Sequence, residues 1–193
     1  MIHNKYFEIL KQFLKGYNKE IYGRELIKKV NISQKNIALT LNELEKEGIL
    51  IAKTRGNIKH FLLNKNNPFI KQYLNLAEIE NSINFLKKNL KINEIFEKID
   101  KNNTIICIFG SFAKGIQKKD SDLDIFIVGN VDERKLKKIS DVYNINISIK
   151  KGDEKDFIEL LKKNNPLMNE ILENHIIISG YEKFVNEVLN QKW

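Results

Sequence analysis

The chain has 193 residues, 42% of them apolar and 30% charged, with a formal net charge of +8. That composition predicts a soluble, folded protein, and no apolar stretch nears the ~20 residues that cross a bilayer. One cysteine, Cys107, excludes an internal disulfide, so a cytoplasmic protein is expected, and three scattered histidines (His3, His60, His175) without metal-ligand spacing argue against zinc.

The charge is uneven. Residues 1–67 hold 13 Lys and Arg against 6 Asp and Glu, so nearly all the excess positive charge sits in the first third. Such clustering points to a polyanionic partner; a lysine-rich surface with no partner is the plainer reading.

Residues 1–65 read as three helices and a hairpin. Tyr6, Ile9, Leu10 and Phe13 recur at helical spacing over 4–14, and Gly16 ends that helix. A second helix covers 23–30, with Leu26 and Ile27 apolar. Ser33 is a good N-cap for a third, 34–47, in which Ile37, Leu41 and Leu44 recur at i, i+4 and i+7 before Gly48. "ILIAKT" and "IKHFLLN" then read as strands around the turn "RGN". Gln34, Lys35, Asn36 and Thr40 fall on the outer side of the third helix. Lys53, Thr54, Arg55 and Lys59 lie at the hairpin tip. These residue types contact phosphates and base edges. The order helix, helix, turn, helix, hairpin resembles a winged helix-turn-helix, which implies duplex DNA as partner; a module for protein contacts is the other reading.

"NKNNP" (64–68) is the best domain boundary. A helix is expected from there to about 89. Within it Leu76, Ile79, Ile83, Leu86 and Leu90 alternate spacings of three and four. The stripe is expected to be core against the neighbouring domain, with a homodimer seam as the alternative. Another helix covers 92–100.

From Thr104 the pattern changes. "TIICIF", "LDIFIV" and "INISI" (145–149) read as strands, and "VDERKLKKISDVY" as a helix between the last two. Helices follow at about 154–163 and 166–173, then a short edge strand "HIIIS" and a closing helix "YEKFVNEVLNQ". The fold class is α+β: a winged helix, then at 69–193 a small mixed sheet with flanking helices.

The chemistry lies in "IFGSFAKGIQKKDSDLDIFIV" (108–128). Gly110 and Ser111 follow a strand and open a turn. A glycine there admits a phosphate close to the backbone, and the N–H groups with the serine hydroxyl make an anion site. Asp122 and Asp124 are two apart, so both side chains share a face. Two carboxylates with no basic partner repel each other unless a divalent cation joins them. A phosphate cradle beside Mg²⁺ implies phosphoryl or nucleotidyl transfer; a solvated acidic turn is the bland alternative. "GSFAKG" has the gap of a P-loop, but Ile116-Gln117 stands where Lys-Ser/Thr is required.

Gly110-Ser111, ten residues, then Asp122-Leu123-Asp124 is similar to the signature of the polymerase-beta-like nucleotidyltransferases, in their minimal branch. The similarity covers about 104–150. It implies that Gly110 and Ser111 hold a nucleoside triphosphate, ATP foremost, and that Asp122 and Asp124 hold Mg²⁺ (or Mn²⁺). Gly115 matches a small residue of the loop, and Lys114 is placed to neutralise phosphate. The family takes a third carboxylate from a later strand. Here Asn146 stands there, an uncharged and weak ligand, with Asp153 and Glu154 just past the strand. The resemblance implies transfer of a nucleoside monophosphate, with a protein hydroxyl as acceptor, as in antitoxins of this branch that modify a HEPN-type toxin. The alternative is a DNA-binding transcriptional regulator whose degenerate transferase domain senses nucleotide.

Overall fold

The computed structural model describes residues 4–163 and 165–191. They form two compact units, one of the described residues up to Ala77 and one of Glu78–Gln191.

The first unit begins with α1 (Asn4–Leu10), which buries Ile9 and Leu10. A two-residue strand, β1 (Ile21–Tyr22), was not legible in the sequence. It leads into α2 (Gly23–Leu26), shorter than the expected 23–30. The third helix, α3 (Gln34–Lys46), starts where expected: the Ser33 hydroxyl accepts from the Asn36 backbone N–H at 3.4 Å. It buries Ile37, Leu41 and Leu44. The antiparallel strands β2 (Leu50–Arg55) and β3 (Ile58–Leu63) follow, and β1 adds to the free edge of β3.

The helix α4 (Ile70–Lys88) corrects one expectation. Leu76, Ile79 and Ile83 are exposed, as is Leu90 beyond the helix, and of the expected stripe Leu86 is the member half-buried against the sheet core. The buried positions of α4 include Glu78 and Ser82 instead. The partner of Glu78 explains part of the inversion. Glu78 Oε1 lies 2.9 Å from Nε2 of the buried His175, and Ser82, one turn on, is buried on the same side of the helix. A polar side chain with a buried partner is at home in a core, and the apolar stripe lies beside that line.

The second unit continues with α5 (Leu90–Glu97), β4 (Ile105–Phe109) and α6 (Gly110–Lys114). Next come β5 (Leu123–Val128), α7 (Glu133–Val142) and β6 (Ile147–Gly152). The unit closes with α8 (Glu154–Lys162), α9 (Pro166–Glu173), β7 (Ile176–Ser179) and α10 (Tyr181–Leu189). The sheet order is β6-β5-β4-β7. The crossover through α7 makes β5 and β6 parallel; the other two pairings are antiparallel. Both central strands are almost wholly buried, as their β-branched, apolar sequences require. One face of the sheet, with Ile106, Ile108, Ile125 and Ile127, packs with Ile95, Phe96 and Leu136. The other carries a row of rings, Phe126, Phe157, Phe184 and His175, with successive centroids 6.0, 5.9 and 4.8 Å apart.

Candidate active site

Strand β4 delivers the chain to the site and α6 turns it away. Gly110 has φ +67°, and a β-carbon on it would overlap Oδ2 of Asp124. Pairing of Phe109 with Asp124 across β4 and β5 sets that closeness. Only glycine satisfies both the left-handed backbone and the missing space. Ser111, half-buried, follows in α6. The helix stops at Gly115, also left-handed (φ +70°), whose N–H donates to the Phe112 carbonyl at 3.2 Å. The next residues, 116–120, are exposed.

Asp122 is exposed just before β5, and Asp124 is half-buried on it. Burial pushes the Asp124 carboxyl above its ordinary value. A hydrogen bond from Ser148 works the other way, while the negative charges of Asp122 and Glu170 add to the rise and Lys150 offsets part of it. The carboxylate is therefore costly to hold ionised on its own. A cation beside it would relieve that cost.

The parallel register pairs Asp124 with Ser148 and Leu123 with Ile147. Carried one residue back, it sets Asn146 across from Asp122. Asn146 is exposed, and its carbonyl accepts from the Leu123 N–H at 2.8 Å. The residue paired with the half-buried Asp124 is thus Ser148, while Asn146, expected at the place of the third carboxylate, stands across from Asp122. The strand begins two residues later than expected because the chain turns through left-handed Asn144 (φ 53°). The two acids just past the strand are engaged elsewhere. Asp153 caps α8, exchanging bonds with Asp156, and Glu154 pairs with Lys183 at 2.7 Å. Among the described residues no group of three or more His, Cys, Asp or Glu side chains could hold a metal. Two carboxylates and a hydroxyl are hard oxygen donors that suit Mg²⁺, provided substrate phosphates fill the rest of its shell.

Lys114 does not point into open solvent. Its Nζ is 2.6 Å from Oε1 of Glu170 on α9. Neither Glu170 nor Ser148 was among the expected site residues. Ser148 was within reach of the strand alternation, two residues after Asn146. Glu170 had no signal, since only the fold brings it to α6.

Residues 90–183 match the family described as polymerase beta, nucleotidyltransferase. The match takes in both central strands, α6, β6 and both helices that follow, so a nucleotidyltransferase domain of this type stands in the second unit. Such domains typically depend on a divalent metal ion. No curated protein and no solved structure matches the chain. No helix among the described residues is long and apolar enough to cross a membrane.

The residues expected at DNA lie in the first unit, outside that match. Gln34 and Lys35 are exposed at the start of α3, and Asn36 is half-buried. Thr40 is 2% exposed, so it belongs to the core and not to the outer face. Its position, three after Ile37, carries it round to the inner side. At the hairpin Lys53 is exposed, Arg55 pairs with Glu20 at 2.9 Å, and Lys59 pairs with Glu45 at 2.5 Å. A cleft of about 690 Å³ lies between α2, α3 and the hairpin, with Arg24, Gln34, Asn42 and Lys59 in its wall.

Proposed function

We propose that the second unit binds a nucleoside triphosphate with Mg²⁺ and transfers its nucleoside monophosphate to an acceptor hydroxyl, while the first unit holds duplex DNA. The observation that carries the transferase reading is the seat of Asp124 against Gly110. A carboxylate kept there at a cost, beside a backbone with no side chain, forms a metal site next to a phosphate site. In the reaction the acceptor oxygen attacks the α-phosphorus, the α–β bridging bond breaks, and pyrophosphate leaves with the electron pair. The acceptor proton passes to solvent or a nearby base. Bound Mg²⁺ supplies charge neutralisation of the phosphates. Asp122 and Asp124 would hold it. The Gly110 and Ser111 N–H groups and the Ser111 hydroxyl orient the triphosphate, and Lys114 neutralises it. ATP is the first nucleotide to test, and the acceptor class is a protein hydroxyl, such as one on a HEPN-type toxin.

A second reading has its own observation. Ser148 faces Asp124 where a third carboxylate would complete a two-metal site. The domain is then a nucleotide sensor governing DNA binding, with slow turnover or none. Both readings require Mg–nucleotide binding. Calorimetric titration with Mg²⁺ and ATP tests it: wild type should bind, and Asp122→Ala/Asp124→Ala should not. Equal affinity in the two proteins rules the site out.

DNA binding draws support from the excess positive charge of residues 1–67 and from Lys35 and Lys53, exposed on α3 and the hairpin.

A further inference from the structure

We infer that Glu170 is a positioning residue of the nucleotide site: it holds the Lys114 ammonium while the site is empty and yields it to the incoming triphosphate. This rests on the nucleotide reading above. Lys114 closes α6, the turn that Gly110 and Ser111 begin, so its ammonium is tethered within a few residues of the phosphate seat. The partner it has found is Glu170, 56 positions away in sequence and 2.6 Å away in space. Both side chains are partly exposed, 35% and 41%. A pair so accessible to water is weak and exchanges partners readily.

Glu170 is also an acid whose charge reaches Asp124 from outside the motif. The end of β5 therefore gathers three carboxylates, Asp122, Asp124 and Glu170, and two ammoniums, Lys114 and Lys150. A magnesium triphosphate arrives with net negative charge. It is drawn to Lys114 and opposed by Glu170, which competes for the same ammonium. Glu170 thereby tips this group to one more carboxylate than ammonium and restrains its affinity for anions.

The test is calorimetric titration of the full chain with Mg²⁺ and the α,β-methylene analogue of ATP, whose α–β bridge cannot be cleaved by transfer. Glu170→Gln keeps the shape and removes the charge. It should bind about two- to fivefold more tightly than wild type at low salt, and the gain should shrink as salt screens it. Glu170→Asp, which keeps the charge, should stay near wild type. Lys114→Gln should bind more weakly, and adding Glu170→Gln to it should bring no gain. A gain that persists without Lys114 would show that Glu170 repels the ligand by its field alone, and would overturn the exchange. Unchanged or weaker binding by Glu170→Gln overturns it too. Failure of wild type to bind at any concentration is a separate result: it removes the nucleotide reading, and this inference with it.

Discussion

The carboxylate of Asp124 lies against the α-carbon of Gly110, in the space a side chain would need. Strand pairing places the two residues together, and the left-handed backbone of Gly110 then turns the chain into α6. Gly115 makes a similar turn (φ +70°) with nothing within 4 Å of where a β-carbon would sit. The two glycines thus separate backbone strain from lost space. Gly115→Ala should cost only the left-handed penalty, about 1–2 kcal/mol. Gly110→Ala should cost that and more, because Asp124 has to move. At about 2–4 °C per kcal/mol for a chain of this size, thermal melts will resolve the difference. Only Gly110→Ala should also lose Mg–nucleotide binding. Equal melting temperatures for the two variants would contradict this account.

Ser148 and Asn146 differ in what they face. Ser148→Asp would add a carboxylate beside Asp124. It should destabilise the protein in chelator through repulsion, tighten Mg²⁺ or Mn²⁺ binding in the presence of nucleotide, and raise any transfer rate. Asn146→Asp, exposed across from Asp122, should do less on each count. Melting with and without Mn²⁺ measures the first two effects. A larger metal response from Asn146→Asp would return the third-ligand position to that residue.

Much of this was readable in the sequence, for identifiable reasons. The apolar runs of β4 and β5 are buried on both faces, so no alternation is needed to find them. Gly110, Ser111, Asp122 and Asp124 lie close in sequence, so local spacing is enough to group them. Ser33 caps α3 through a bond to a residue three positions on. What could not be read depends on distant partners. Glu78 and Ser82 were overlooked as core because they are polar, and the burial of Glu78 follows from His175, 97 positions later. The same burial moved Leu76, Ile79 and Ile83 out of the expected core. Glu170 meets Lys114 only because α9 returns to the sheet. β6 began late because a left-handed asparagine extended the turn before it.

The buried pair of His175 and Glu78 gives a pH signature. Burial alone would push the imidazole down; the charge and hydrogen bond of Glu78, with the Ile171 and Leu172 carbonyls, outweigh it and hold His175 above its ordinary value. Cys107 and Tyr181 also face Glu78. Burial first, then its charge, push both groups up, although Ser82 opposes the shift of Tyr181, so both stay neutral near pH 7. A histidine raised on folding contributes stability that is full below its unfolded value of about 6.5 and is lost as pH rises through the folded value. The urea midpoint of wild type should therefore fall as pH rises above about 6.5 and through the folded value. Glu78→Gln should cost about 3–5 kcal/mol. It should also reverse the slope, because burial then dominates and stability is lost as pH falls. Parallel slopes for the two proteins would exclude this role for the pair.

For DNA, the cations that carry no ion pair among the described residues should matter most. Lys35 meets that condition, whereas Arg55 has to leave Glu20 first. Lys35→Ala should weaken duplex binding more than Arg55→Ala and lower the slope of log affinity against log salt by about one. Retention of labelled duplex by the full chain across a salt series reads both quantities. No retention at low salt, with the fold intact by circular dichroism, would remove DNA from the account.

The central claim is nucleotidyl transfer at Asp122 and Asp124. The most direct measurement incubates the protein with nucleoside triphosphates labelled at the α-phosphate, Mg²⁺ or Mn²⁺, and candidate acceptors, then follows label into protein or RNA. Wild type should transfer label and release pyrophosphate in a metal-dependent way. Asp122→Asn and Asp124→Asn should each abolish transfer while keeping the fold. Label transfer that survives in both variants, or that ignores chelator, would contradict the claim. So would wild type that binds Mg–ATP tightly and never transfers the label, which would leave the sensing reading in its place.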